Sequence, residues 1–189
     1  MLSLVITSAL LVSTPCEGLK SLALQGATIT VAEMVTAGPF TPPGPGAGGP
    51  PPPGGRVSQV AGAPGGRGAG PAAPPLVLPA HCRVAAVLKP SPDSEIAMEV
   101  WLPAENWNGK FQAVGNGGWA GVISYPAMAA ALQEGYATAS TDTGHKGGNA
   151  LFAIGHPEKV VDFSYRAVHE TTVKAKAMIA AFYDRAPRL

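Results

Sequence analysis

A glycine-dense stretch near the middle of the chain has the residue types that could support acyl-transfer chemistry. The segment Phe111 to Val114 has the apolar character of a short buried strand, and glycines follow it at positions 115, 117, 118 and 121. Glycine permits backbone conformations that side chains forbid, so bare amide groups can approach a ligand closely. In an acyl-transfer enzyme such amides hold the negative oxygen of the tetrahedral intermediate. The alternative is a tight strand-to-loop turn that takes no part in chemistry.

Some acidic and histidine side chains are weaker candidates for catalytic residues. Asp142 and His145 follow a predicted strand, where polar groups often line a ligand crevice, but so short a spacing defines no catalytic geometry. A structural role is at least as well favoured, with the Asp142 carboxylate accepting hydrogen bonds from turn amides. Glu95 and Glu99 lie on the same face of one predicted strand. We expect this face to be exposed to solvent, rather than to carry a carboxylate pair for acid and base catalysis. His169 is expected on the exposed side of a helix.

The two cysteines, Cys16 and Cys82, are compatible with one disulfide if the protein folds in an oxidising compartment. The alternative is a pair of unrelated buried thiols. The sequence has no Cys-x-x-Cys segment and no paired histidine spacing, so no metal site is expected. The net charge of +1 and the charged-residue content of 13% provide no basic face for nucleic acid. Partners are therefore sought among neutral or small molecules.

The patterns around these residues predict an α/β fold. Alternating residues predict strands over 27–35, 82–88 and 95–103, and the last two should form an antiparallel hairpin. The glycine stretch is followed by a predicted helix over 125–135 and a strand over 136–141, which is the βαβ spacing of a parallel strand pair. A helix over 160–183 should cover the sheet with one stripe of residues: Val161, Tyr165, Val168, Thr172, Ala175, Ile179 and Phe182.

Composition divides the chain into four regions. Residues 1–15 form an apolar run with the length of a signal-peptide core, with an ordinary buried first strand as the alternative. Residues 16–41 make an N-terminal strand region. Residues 42–75 form a Pro/Gly-rich insert that is expected to be flexible, because it cannot bury enough apolar surface to offset its ordering entropy. A polyproline-type ligand site is the alternative for this insert. Residues 76–189 carry the predicted α/β domain.

Several segments, in their order and spacing, resemble the tannase and feruloyl esterase family. The resemblance covers the chain from Cys16 to Leu189 apart from the Pro/Gly-rich insert. The segments that carry it are Leu78-Pro79-Ala80-His81-Cys82-Arg83-Val84, Glu99-Val100-Trp101-Leu102-Pro103, Trp107-Asn108-Gly109-Lys110-Phe111, Gly115-Asn116-Gly117-Gly118-Trp119-Ala120-Gly121, Gly135-Tyr136-Ala137-Thr138-Ala139-Ser140-Thr141-Asp142-Thr143-Gly144-His145, Gly155-His156-Pro157-Glu158-Lys159 and Tyr165-Arg166-Ala167-Val168-His169-Glu170.

The resemblance implies a secreted α/β-hydrolase with a large lid domain, often calcium-bound, that cleaves esters of aromatic acids such as gallate, ferulate or terephthalate monoesters. The family's triad serine lies in a Gly-Cys-Ser-x-Gly-Gly elbow, and its aspartate and histidine come much later. This sequence contains no such elbow, and the helix ending at Tyr183 resembles the element just before the strand that leads to it. We therefore expect the N-terminal portion of an α/β-hydrolase sheet, truncated before the nucleophile elbow. The triad is expected beyond Leu189, and any calcium is expected in the lid.

Of the active-site parts that the resemblance implies, only the oxyanion hole falls within this chain. Gly117 and Gly118 are its expected amide donors. The implied reaction is two-step serine acyl transfer on a small aromatic ester, without a cofactor in this chain. The fragment alone is expected to be inactive. The implied location is secreted or periplasmic, with no membrane association after signal cleavage. A secreted binding or structural module without catalysis is the alternative from another class.

Overall fold

The computed structural model describes residues 13–40 and 77–188. The predicted signal-peptide core, apart from residues 13–15, and the whole Pro/Gly-rich insert lie outside the described residues, so both stay predictions. Within the described residues, no helix combines the length and the apolar character needed to cross a membrane.

A five-stranded mixed sheet forms the centre of the molecule. The strands of the described residues, in chain order, are β1 (Ala27–Val35), β2 (Gly38–Pro39), β3 (Val77–Leu78), β4 (His81–Leu88), β5 (Ile96–Pro103), β6 (Phe111–Ala113) and β7 (Ala137–Thr141). The order across the main sheet is β1-β4-β5-β7-β6, and β2 pairs with β3 beside it. All neighbours in the main sheet are antiparallel except β6 and β7, which are parallel.

Helices cover both faces of this sheet. They are α1 (Tyr125–Gln133), α2 (Pro157–Val161) and α3 (Ala167–Tyr183), with a π-helical turn at Asp162–Arg166 between the last two. Helix α1 connects the parallel strands β6 and β7, which confirms the predicted βαβ unit. Pro126 lies in its first turn, where a missing amide proton costs nothing, and the chain leaves it through Gly135 at a φ of 78°.

The two faces of β5 pack into two separate cores. Ile96, Met98, Val100 and Leu102 are at most 1% exposed and contact the core that also holds buried residues of α3. On the opposite face, Trp101 packs with the α1 residues Met128 and Leu132. Each large apolar side chain buried in this way contributes about 1.5–3 kcal/mol to stability. The arrangement confirms the predicted α/β class and its antiparallel hairpin of β4 and β5.

The prediction of a solvated face on β5 is wrong at Glu99, which is only 2% exposed. Its carboxylate accepts hydrogen bonds from Arg83 at 3.0 Å and 2.6 Å, from the Trp101 indole at 3.1 Å and from the Tyr125 hydroxyl at 2.9 Å. Alternation had separated the faces of the strand correctly, but helix α1 covers the face that was assigned to solvent. Glu95, which precedes β5, does have an exposed side chain.

The predicted helical stripe is also wrong in its first half. Tyr165 is 63% exposed and Val168 is 47% exposed, whereas Ala167 and Thr171 are buried. The π-helical turn accommodates an extra residue, so the buried face shifts along the sequence after Asp162. The second half of the stripe agrees with the structure, because Ala175 and Ile179 are both buried.

Cys16 and Cys82 are joined in a disulfide whose Cα atoms are 5.6 Å apart. Cys16 opens a short 3₁₀ helix, Cys16–Ser21, and Cys82 lies on β4. Both sulfurs are enclosed in the same core as helix α3. The bond thus fixes the start of the described chain to the centre of the sheet.

Candidate functional site

The glycine loop, residues 115–121, begins at the carboxyl end of β6. The Val114 amide still donates to the Ala139 carbonyl of β7 at 2.8 Å, so the loop leaves the sheet immediately after this bond. The neighbouring strand β7 ends one residue before Asp142. Because parallel strands present their carboxyl ends at the same edge, the loop and the segment after β7 meet there. The Gly121 amide donates to the Gly147 carbonyl at 2.8 Å across this meeting point.

Several carbonyl groups of the glycine loop are engaged by donors. The Asn116 side-chain amide donates to the Ala120 carbonyl at 2.6 Å and to the carbonyl of Val122, just after the loop, at 2.5 Å. The Ala120 amide donates to the Gly117 carbonyl at 3.2 Å, which closes a tight turn over residues 117–120. Sequence reasoning missed the role of Asn116, although an asparagine between turn glycines is a common signal for local side-chain bonds to the backbone.

Most backbone amides of this loop, in contrast, have no hydrogen-bond partner among the described residues. Those of residues 115–119 donate no hydrogen bond to any residue that the structure describes. Gly117 and Gly118 are exposed, and a Cβ added at either would meet no atom within 4 Å. Gly118 has a φ of +54°, a conformation that glycine adopts without strain. Engaged carbonyls and unpaired amides make a backbone surface suited to a negatively charged oxygen.

Asp142 has the structural role that the sequence favoured. Its Oδ1 accepts hydrogen bonds from the amides of Ala97 and Gly144, each at 2.9 Å. Burial raises the pKa of this carboxyl to about 6, although the two amide bonds and nearby positive charge oppose the shift. The Asp142 side chain therefore ties the end of β7 to β5.

His145 lies against the glycine loop and is 5% exposed. Its Nε2 is 3.0 Å from the Trp119 carbonyl oxygen, and its Nδ1 is 3.2 Å from the Thr143 hydroxyl. Both ring nitrogens thus have partners other than the Asp142 carboxylate, and the two residues form no acid and base pair. His169, as expected, is exposed on α3.

An aromatic cluster surrounds the His145 ring. Phe152 stacks on it with a centroid distance of 3.9 Å, and Phe163 meets it edge-on at 5.5 Å. Trp119 stacks on Phe163 at 4.9 Å and remains 48% exposed. The glycine loop therefore has an apolar flank formed partly by residues far along the chain, which no local pattern indicated.

No group of three or more His, Cys, Asp or Glu side chains that could hold a metal ion occurs within residues 13–40 and 77–188.

The family model described as tannase and feruloyl esterase matches residues 82–189, which is more than half of the chain. The chain belongs to the tannase and feruloyl esterase family. The matched range includes the hairpin strand β5, the βαβ unit and the whole glycine loop.

Curated relatives align with this chain over only part of their length. An uncharacterized esterase of Xanthomonas campestris pv. campestris is 39% identical over 177 residues, which is 93% of this chain and 26% of the relative. A probable feruloyl esterase B-1 of Aspergillus fumigatus is 42% identical over 104 residues, which is 55% of this chain and 20% of the relative. The chain thus spans about a quarter of the first relative and a fifth of the second.

The fold of this family member also matches solved structures. The crystal structure of feruloyl esterase B from Aspergillus oryzae superposes with a TM-score of 0.70 and 30% sequence identity, covering 92% of this chain and 30% of that one. The expected resemblance to the N-terminal portion of an α/β-hydrolase is thereby confirmed at the level of family and fold.

Proposed function

We propose that this chain provides the oxyanion-binding backbone of a carboxylic ester hydrolase, with Gly117 and Gly118 as the candidate donors. One observation carries the proposal. In a member of the tannase and feruloyl esterase family, the amides of Gly117 and Gly118 donate to no described residue, and both glycines are exposed at the carboxyl edge of a parallel strand pair. Donors of this kind are effective because they are held in place before charge develops on the substrate oxygen.

The proposed reaction is two-step acyl transfer, in which a serine attacks the ester carbonyl and water then hydrolyses the acyl-enzyme. The loop amides bind the oxygen that becomes negative in both steps. The sequence contains no Gly-Cys-Ser segment. The proposal therefore takes the nucleophile and its histidine and aspartate from residues outside this sequence. By this reasoning the isolated chain hydrolyses no ester.

The proposed substrates are small esters of aromatic acids. The names of the relatives support this choice, because several are described as feruloyl esterases. The proposed location is extracellular or periplasmic. The disulfide between Cys16 and Cys82 supports it, since such bonds persist in oxidising compartments.

The test uses the complete natural protein that contains this chain, with methyl ferulate and methyl gallate as substrates. Gly118→Pro removes the amide proton and cannot adopt the positive φ, and should lower kcat by about 10²–10³-fold. Gly118→Asn is the matched control, because it keeps the amide and tolerates this conformation better than other side chains. It should retain most of the turnover.

Two outcomes would contradict the proposal. One is a Gly118→Pro variant that folds and keeps the wild-type kcat. The other is a complete protein without turnover on either ester, which would favour a binding or structural module instead. For the isolated 189-residue chain, ester hydrolysis that scales with protein concentration would show that it is active without further residues.

A further inference from the structure

Peptide units of the glycine loop are linked in series to the His145 ring. Nε2 of His145 lies 3.0 Å from the Trp119 carbonyl oxygen. Because a carbonyl oxygen only accepts hydrogen bonds, Nε2 must carry a proton and donate it. The Trp119 carbonyl and the Ala120 amide belong to one trans peptide unit, so they point in opposite directions. On its far side, the Ala120 amide donates to the Gly117 carbonyl at 3.2 Å.

The next peptide unit in the series contains the Gly117 carbonyl and the Gly118 amide. Its carbonyl turns toward Ala120, so the planar trans geometry turns the Gly118 N–H away from that bond. Gly118 occupies the first central position of the turn over residues 117–120, and its φ of +54° suits glycine there. Its amide donates to no residue in the described part of the chain.

The hydrogen-bonding protons of this series therefore all point the same way. They run from His145 through the Trp119–Ala120 peptide to the Gly118 amide, which has no acceptor among the described residues. Hydrogen bonds aligned in series polarise one another, with estimates of about 10–30% strengthening per bond. The alignment places the positive end of the series at the Gly118 amide.

His145 is itself held firmly in position. Phe152 stacks on the ring at 3.9 Å, and the Thr143 hydroxyl lies 3.2 Å from Nδ1. Thr143 has a φ of 58°, which is strained for a β-branched residue by about 1–3 kcal/mol. On the loop side, a Cβ on Gly121 would lie 2.5 Å from the His145 carbonyl oxygen, so only glycine permits this close approach.

We infer that His145 is a positioning residue that orients the Gly118 amide as the oxyanion donor through the Trp119–Ala120 peptide. This inference rests on the proposed ester hydrolase function and goes further, because it distinguishes Gly118 from Gly117. His145 does not contact the reacting atoms. It acts by fixing the peptide planes of the loop.

The test compares three variants of the complete natural protein on methyl ferulate. His145→Leu removes the donor to the Trp119 carbonyl but keeps an apolar side chain beside Phe152. His145→Gln restores a donor, because its amide nitrogen is the same number of bonds from Cα as Nε2. His169→Leu makes the same substitution at an exposed histidine of α3 and serves as the control.

We expect His145→Leu to lower kcat by about 10²-fold, which is the cost of misplacing a catalytic group by about 1 Å. KM should stay within about twofold, because the interaction acts only in the transition state. His145→Gln should recover most of the loss, and His169→Leu should match the wild type. Unchanged kcat in His145→Leu would overturn the inference, as would a glutamine variant no better than the leucine variant or a loss carried by KM.

Failure of the proposed function has a different signature, since the wild-type protein itself would then hydrolyse no ester. In that case hydrogen–deuterium exchange of the segment 115–121 decides the positioning role. Faster exchange in His145→Leu than in the wild type and in His145→Gln supports it. Equal exchange in all three proteins overturns it.

Discussion

Replacement of Asp142 by asparagine should stabilise the protein at neutral pH. The Asp142 carboxyl is 6% exposed, and its Oδ1 accepts the Ala97 and Gly144 amides at 2.9 Å. Burial nevertheless raises its pKa from 3.8 to about 6, because desolvation of the charge outweighs these two bonds. Asparagine keeps an acceptor at Oδ1 and has no charge to desolvate.

The sign and size of this change in the free energy of unfolding follow from the raised pKa of Asp142. The carboxyl favours the folded state fully below its unfolded pKa of 3.8, and this advantage is lost as pH rises through about 6. The difference between a pKa of 3.8 and a pKa of about 6 corresponds to about 3 kcal/mol, which is an upper figure for the gain of Asp142→Asn at about pH 8. At about pH 4 the folded carboxyl is protonated and the unfolded one is about half ionised, so the two proteins should differ in stability by less than about 1 kcal/mol.

Urea unfolding of the complete natural protein and of Asp142→Asn, at about pH 4 and about pH 8, measures this difference. Glu95→Gln is the control, because the Glu95 side chain is 64% exposed and should change the unfolding free energy little at either pH. Lower stability of Asp142→Asn at about pH 8 would refute the reasoning. An equal effect of Asp142→Asn at both pH values would also refute it, because the ionisation would then play no part.

Two further substitutions test the packing around the site. Glu99→Gln should lower the free energy of unfolding by about 3 kcal/mol, because the half-buried guanidinium of Arg83 loses the charge that it contacts at 2.6 Å. Urea unfolding measures this, and a change below about 0.5 kcal/mol would show that Glu99 behaves as a surface acid. Gly121→Ala should cost about 1–3 kcal/mol, because its Cβ would lie 2.5 Å from the His145 carbonyl oxygen. Gly148→Ala is the matched control, since a Cβ there meets no atom within 4 Å, and equal thermal shifts for the two would contradict the packing.

Local patterns were sufficient to predict the framework of this fold. The hairpin of β4 and β5 follows from alternating residues joined by a turn segment, and the unit β6–α1–β7 follows from its spacing. The bonding of Asp142 to turn amides also follows from local turn chemistry, since one of its donors, Gly144, is two residues away. In each case the interaction that decides the structure is near in sequence.

The features that the sequence patterns predicted wrongly or missed depend on contacts between distant residues. Glu99 is buried because Tyr125 of helix α1 closes over it, and no property of strand β5 reveals which elements cover its faces. The first half of the predicted helical stripe, at Tyr165 and Val168, is wrong because the π-helical turn at Asp162–Arg166 interrupts the regular helical period. The role of His145 depends on Trp119, which lies in a separate loop and is reached only across the sheet edge.

The central claim is that the Gly118 amide binds the oxyanion of an ester hydrolase. The most direct measurement is a crystal structure of the complete natural protein after inactivation by a dialkyl p-nitrophenyl phosphate, whose phosphoryl oxygen mimics the tetrahedral intermediate. We expect this oxygen within about 2.7–3.1 Å of the Gly118 nitrogen, the distance required of an oxyanion donor. A covalent adduct whose oxygen is bound elsewhere, with the glycine loop facing solvent, would contradict the claim.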